Sequence, residues 1–235
     1  MARLTDQVAI VTGGGRGIGM AIAHALAREG ATVVLAGRTE SALHRVAEEL
    51  KQYGASALAV PTDVTRDDQI QSLVLTTVHK FGRLDILVNN AGVGYLKRLT
   101  ELSVEEFDTM WRVNMRGAFV MTKAVIPYMV EAKSGAIVNI ASLAGKNSFI
   151  GGTGYAATKW GLRGFAGSLM LEVRESNIRV ITIFPGSVDT HFSSSNLRGN
   201  KITQAEDVAE AVVFGITAPA RTMISEMDIR PTNPK

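Results

Sequence analysis

The chain has 235 residues, 46% hydrophobic and 20% charged, with 23 glycines and no cysteine. That balance describes a compact domain with a large core and excludes disordered or fibrous chains. The missing cysteines also exclude a disulfide scaffold, a thiolate zinc site and a cysteine nucleophile. The formal charge is +3, with no block of like charges, which argues against nucleic-acid binding. His24, His44, His79 and His191 lack metal-ligand spacing, so no metal is expected. The first apolar run, Val8 to Val11, is too short for a signal-peptide core, and no run reaches membrane-spanning length. A cytoplasmic protein without a membrane partner is the expectation.

Short β-branched runs alternate with longer helical stretches, the pattern of βαβ units and an α/β fold with a mostly parallel sheet covered on both faces. The first strand, Val8 to Thr12, leads into a helix over Gly17 to Arg28, and the second, Thr32 to Ala36, into a helix over Ser41 to Tyr53. A third strand at Ala57 to Val60 precedes a helix over Arg66 to Phe81. A fourth, Leu84 to Asn89, precedes one long helix over Val104 to Ala132. Then come Ala136 to Ile140, a helix over Gly154 to Glu175, Val180 to Phe184, a helix over Ala205 to Ile216, and Ile224 to Ile229. No linker or repeat divides the alternation, so residues 1–235 read as a single domain with its site built in. The stretch from Ser193 to Lys201 reads as a flexible loop.

Ligands of such sheets bind at the carboxyl ends of the strands, where helix N-termini and loop amides converge. After the first strand runs Thr12-Gly13-Gly14-Gly15-Arg16-Gly17-Ile18-Gly19. Almost bare of side chains, this turn lets backbone N–H groups and the positive helix end approach a pyrophosphate. Its Gly13-x3-Gly17-x-Gly19 spacing is not G-x-G-x-x-G, and a tight strand-to-helix turn with no ligand stays open beside dinucleotide binding. No Gly-Lys-Ser/Thr follows, which excludes a P-loop. The second strand ends at Ala36-Gly37-Arg38. An acidic residue here would take a ribose 2′-hydroxyl, whereas Arg38, with Arg16 in the turn, suits a 2′-phosphate. NADP therefore stands ahead of NAD, with two solvated arginines as the bland alternative.

Tyr155, Lys159, Leu162, Ala166, Leu169 and Val173 form one stripe at helical spacing, which puts Lys159 on an apolar, inward face. Lysine is rarely buried without a partner. As an i, i+4 neighbour of Tyr155, its ammonium favours phenolate and is expected to pull the tyrosine pKa down. Along the preceding helix the stripe Phe107, Trp111, Ala118, Met121, Val125, Met129 is interrupted by Asn114, either a satisfied core amide or part of a polar relay. Ser142, just past the fifth strand, is a loop hydroxyl or a hydrogen-bond donor in the crevice.

Thr12-Gly13-x3-Gly17-x-Gly19, Asn89-Asn90-Ala91-Gly92, Asn114, Ser142, Tyr155-x3-Lys159 and Pro185-Gly186, in this order over residues 8–190, resemble the short-chain dehydrogenase/reductase family in its short single-domain branch. The resemblance implies a Rossmann-type, seven-stranded parallel sheet in the order 3-2-1-4-5-6-7, and hydride transfer between a nicotinamide and a carbonyl or alcohol. It makes Tyr155 the general acid or base and Lys159 the group that lowers its pKa and binds the nicotinamide ribose. Ser142 would polarise the carbonyl oxygen, and Asn114 would hold a relay water. It further places Asp63 and Val64 at the adenine, and Asn89, Asn90, Ala91 and Gly92 along the cofactor. Pro185, Gly186, Val188 and Thr190 would lie near the nicotinamide amide. Asp63 also has a purely local role open to it, as a turn former before Thr65.

An NADP-dependent reductase of a ketone, aldehyde or secondary alcohol follows, with a 3-oxoacyl thioester as the most specific version. A small hydroxy acid or aldehyde is the rival substrate, and a non-catalytic NADP-binding sensor the rival class. The stretch from Ser187 to Gln204 is short for a substrate-covering loop. Ser225-Glu226-Met227-Asp228-Ile229 stands where many members carry Asp-Gly-Gly, which puts the family's tetramer contact through the last strand in doubt. Small and apolar residues at Gly161, Gly164, Phe165, Gly167 and Ser168, on the far side of the Tyr155 helix, suggest a homodimer or homotetramer packed through that helix and the Asn114 helix.

Overall fold

The computed structural model describes residues 2–189 and 202–232; Thr190 and the stretch from Ser193 to Lys201 lie outside them. Seven parallel strands form one sheet: β1 (Val8–Thr12), β2 (Thr32–Gly37), β3 (Ala57–Pro61), β4 (Ile86–Asn89), β5 (Gly135–Ile140), β6 (Ile178–Pro185) and β7 (Glu226–Ile229). Their spatial order is β3-β2-β1-β4-β5-β6-β7. The reversal between β1 and β4 opens a crevice at the strands' carboxyl ends. Register brings Thr12 beside Ala36 and Asn89 beside Asn139.

Strand alternation divides the core into two layers. Ala9, Val11, Val33 and Leu35 pack with helices α1 (Gly17–Arg28), α2 (Glu40–Lys51) and α7 (Ala205–Ile216). Val8, Ile10, Val34 and Ala36 face α3 (Asp67–Phe81), α5 (Gly117–Ala132) and α6 (Thr153–Val173) on the other side. Burying each large apolar side chain contributes about 1.5–3 kcal/mol, so the central strands fix the frame on which the loops sit.

The expected unbroken helix over 104–132 is instead α4 (Val104–Met110), a π turn (Trp111–Arg116) and α5. The wider turn shifts the side-chain bearings by about one residue. Met110, Asn114 and Ala118 face inward as a result. Phe107 and Trp111, expected in the core stripe, are 38% and 43% exposed and stack on each other outside. The Tyr155 helix behaves as its periodicity predicts, with all six residues of the stripe buried.

Candidate active site

The glycine turn is held by neighbours rather than by its own side chains. Gly13 and Gly17 have φ of +67° and +54°, a region that disfavours other residues. A Cβ on Gly19 would strike the Gly13 carbonyl and Asn90 Nδ2, so α1 can start this close to β1 only with glycine there. Thr12 ties the turn to the end of β4. Its hydroxyl donates to the Val88 carbonyl at 3.1 Å and accepts the N–H groups of Asn90 and Ala91, each at 3.0 Å. Asn90 returns the contact through Nδ2 to the Thr12 carbonyl at 2.9 Å. Gly15 and Ile18 lie in the same turn, and Arg16 and Arg38 are exposed at its rim without an ion pair among the described residues.

Asn89 is the exception in its motif. Its side chain enters the core, where Nδ2 donates to Thr122 Oγ1 at 3.1 Å and Asn139 Oδ1 at 3.0 Å. Its amide is thus engaged within the core, because β4 is buried through Asn89. Asp63 takes the local role: its Oδ1 accepts Thr65 N–H at 2.9 Å and Thr65 Oγ1 at 2.8 Å. Val64 beside it is buried against Gly117 at the start of α5. Gly186 N–H donates to the Ile229 carbonyl, and Val188 bridges to Thr203, so the segment after Pro185 is pinned at the mouth of the crevice.

Asn114, Ser142, Tyr155 and Lys159 come together from three elements. The Asn114 amide clasps the backbone of Val93, accepting its N–H and donating to its carbonyl, both at 2.8 Å, and it donates to Thr158 Oγ1 at 3.0 Å. This makes it a satisfied core amide that also fixes the loop after β4. Thr158, in turn, donates to the Tyr155 carbonyl. Sequence reading missed Thr158, although a polar side chain three residues after Tyr155 on an inward face was a usable signal.

Lys159 is 5% exposed, and its ammonium lies 5.7 Å from the centroid of the Tyr155 ring. It donates to the Ile140 carbonyl at 2.9 Å, and no carboxylate faces it among the described residues. Burial alone lowers its pKa to about 8. Tyr155 departs from expectation. Burial pushes its phenol up to about 12, a rise opposed by a hydrogen bond from Ser142. The anticipated fall does not occur in the free chain, because removal from water penalises phenolate more than its neighbours stabilise it. Ser142 Oγ also accepts the Ala144 N–H at 3.1 Å, which holds the hydroxyl oxygen in place.

These residues fit a dinucleotide. A Cβ on Gly92 would lie 3.4 Å from Asn114 Oδ1 and 3.8 Å from Lys159 Nζ, so glycine keeps the space above both open. Lys159 holds three protons and spends one on Ile140, which leaves donors for ribose hydroxyls. A cavity of about 10 Å³ touching Thr12, Asn89, Asn114 and Lys159 is on the scale of one water.

The short chain dehydrogenase family model matches residues 7–201. An uncharacterised oxidoreductase of Staphylococcus aureus (strain MRSA252) is 40% identical over 232 residues, 98% of this chain and all of that one. Among solved structures, a metagenomic short-chain oxidoreductase in complex with NADP is 37% identical with a TM-score of 0.88, over 98% of this chain and 99% of that one. The 3-ketoacyl-(acyl-carrier-protein) reductase of Brucella melitensis, complexed with NADH, is 30% identical with a TM-score of 0.91, over 99% and 100%.

Proposed function

The chain belongs to the short-chain dehydrogenase/reductase family, and from that premise we propose that it is an NADPH-dependent reductase of a ketone or aldehyde, reversible to the secondary alcohol. The observation that carries this reading is the buried pocket in which Tyr155 and Lys159 lie together, both under 9% exposed, with Ser142 bonded to the phenol. Residues 1–235 act as one unit that holds both cofactor and substrate.

Bound NADPH supplies the hydride. The glycine turn from Thr12 to Gly19 would cradle its pyrophosphate on backbone N–H groups. Arg16 and Arg38 would take the 2′-phosphate, while Asp63 and Val64 would lie near the adenine. Asn90, Ala91 and Gly92 would line the middle of the cofactor, and Pro185, Gly186, Val188 and Thr190 its nicotinamide end. Ser142 orients the carbonyl oxygen, Tyr155 donates its phenolic proton to that oxygen, and Lys159 stabilises the phenolate that remains. Burial suits the reductive direction, since it keeps the phenol in the protonated, donating form. A water held in the cavity that Lys159 and Asn114 both line would give the lysine a partner for proton resupply.

The 3-oxoacyl thioester is the most specific substrate reading, supported by the likeness to the Brucella reductase. Gly164 and Gly167 face open space, and Phe119, Trp111 and Trp160 are exposed on the same two helices. A second copy covering that apolar face would form a homodimer, or half of a homotetramer; a monodisperse monomer in light scattering contradicts it. NADPH oxidation against a panel of carbonyl compounds tests the activity. Tyr155→Phe should lower kcat at least about a hundredfold with NADPH affinity nearly kept. Turnover unchanged by that substitution would overturn the reading.

A further inference from the structure

Five charged side chains meet on the exposed face of β7. Strand alternation points Met227 and Ile229 into the α1–α7 layer and Glu226 and Asp228 toward α6. Glu226 Oε1 accepts Arg163 Nε at 2.7 Å, and its Oε2 accepts Arg163 at 3.2 Å and pairs with Lys146 Nζ at 2.8 Å. Lys146 also donates to Asp228 Oδ1 at 2.7 Å, and Arg230 reaches Asp228 from outside at 3.3 Å. Both inner cations lie over the fully buried Phe184 ring, Lys146 at 4.1 Å and Arg163 at 5.8 Å from its centroid.

The two cations occupy telling positions. Lys146 is four residues after Ser142, and Arg163 is four residues after Lys159, one helical turn along α6. Between Ser142 and Lys146 the chain makes a tight turn: Gly145 N–H donates to the Ser142 carbonyl at 2.8 Å, and the Lys146 and Asn147 N–H groups donate to the Leu143 carbonyl. A Cβ on Gly145 would lie 2.9 Å from the Lys159 carbonyl oxygen, so this turn rests directly on the helix that carries the proton-transfer pair. One carboxylate thus receives a cation from each side of the reacting centre.

We propose that Glu226, assisted by Asp228, is a positioning residue: by gripping Lys146 and Arg163 together it locks the Ser142 turn against α6 and so sets the Ser142 hydroxyl on the Tyr155 phenol. Isolated surface ion pairs contribute little. This one differs in being a bidentate, shared network whose lysine is mostly buried and packed over an aromatic ring. Burial opposes the charge on Lys146, yet its hydrogen bonds to Asp228 and Glu226 outweigh it and raise its pKa; Glu226 is held low, first by its hydrogen bond from Arg163. The inference rests on the reading of Ser142 and Tyr155 given above, and the test separates the two.

Glu226→Gln removes the charge while keeping the shape, and Asp228→Asn is the milder variant. A misplaced catalytic group commonly costs one to two orders of magnitude, so Glu226→Gln should lower kcat about tenfold, with NADPH Kd unchanged and Asp228→Asn falling between it and wild type. In a Ser142→Ala background Glu226→Gln should cost nothing further in kcat, because the group it positions is already gone. Hydrogen exchange adds a readout independent of turnover: amides 144–147 should lose protection in Glu226→Gln while those of β1 and β4 keep theirs. Unaltered protection of the turn, or losses that multiply in the Ser142→Ala background, would overturn the proposal. An enzyme inactive on every carbonyl would overturn the reductase reading, and hydrogen exchange would still decide the clamp.

Discussion

Two regions of this molecule hold cations in opposite surroundings. At the rim of the glycine turn, Arg16 and Arg38 are exposed with no ion pair among the described residues. In the pocket, Lys159 is buried beside a phenol, and its charge is conditional, with a pKa near 8 set by lost hydration. An exposed arginine can attract a phosphate at little cost to folding, and its pull is screened by salt. A buried lysine destabilises the fold but can give and take protons in the working pH range. On the proposed reading, recognition and chemistry would be separated by solvent exposure within one crevice.

The largest effect that can break this contrast is at Lys159. Lys159→Met should lower kcat about a hundredfold and at the same time raise stability at neutral pH by an amount on the order of 2 kcal/mol, since an ammonium without a carboxylate partner no longer has to be buried. The sign with pH is specific. Between about 8 and 10.5 the unfolded chain holds a proton that folded Lys159 has lost, so the wild type should gain stability relative to the variant's curve as pH rises through that window. Denaturant melts across the window check both. A variant less stable than wild type at pH 7 would mean that Lys159 is a net structural asset.

Next in size is the rim. Arg38→Asp should weaken NADPH binding about tenfold or more and favour NADH, because a 2′-phosphate would then face a like charge. If Arg38 takes the 2′-phosphate as proposed, raising the salt should weaken NADPH binding by the wild type more than by the variant. An unchanged coenzyme preference would return both arginines to the status of solvated surface charges. The smallest effect is at Thr12, which belongs to neither group. Thr12→Val leaves the Asn90 and Ala91 N–H groups without their acceptor and should cost about 1–2 kcal/mol of stability, with NADPH affinity falling more than kcat. Thermal melts and titrations of the same sample separate the two.

Much of this was legible in the residue order. β1, α1 and α7 have the boundaries that periodicity gives them, because an apolar run after a turn or cap has few other options. The inward stripe that carries Tyr155 and Lys159 needed only the 3.6-residue repeat. Local spacing failed where backbone geometry changed or distant groups met. The π turn at Trp111–Arg116 breaks the repeat and sends Phe107 and Trp111 outward. Asn89 reads like its neighbour Asn90 but lies on the other side of the point where β4 ends.

By itself, then, the sequence determined the alternating α/β frame, the glycine turn and the pairing of a phenol with an amine on one helical face, since each follows from a short repeat or from what a bare backbone permits. Only tertiary structure decided which charges matter. Burial, a property of the whole packed core, sets Tyr155 near 12 and Lys159 near 8, and the grip of Glu226 on Lys146 and Arg163 joins residues 80 and 63 positions away along the chain. Solvation and long-range contact have no local signature, because both depend on what the rest of the chain places around a side chain.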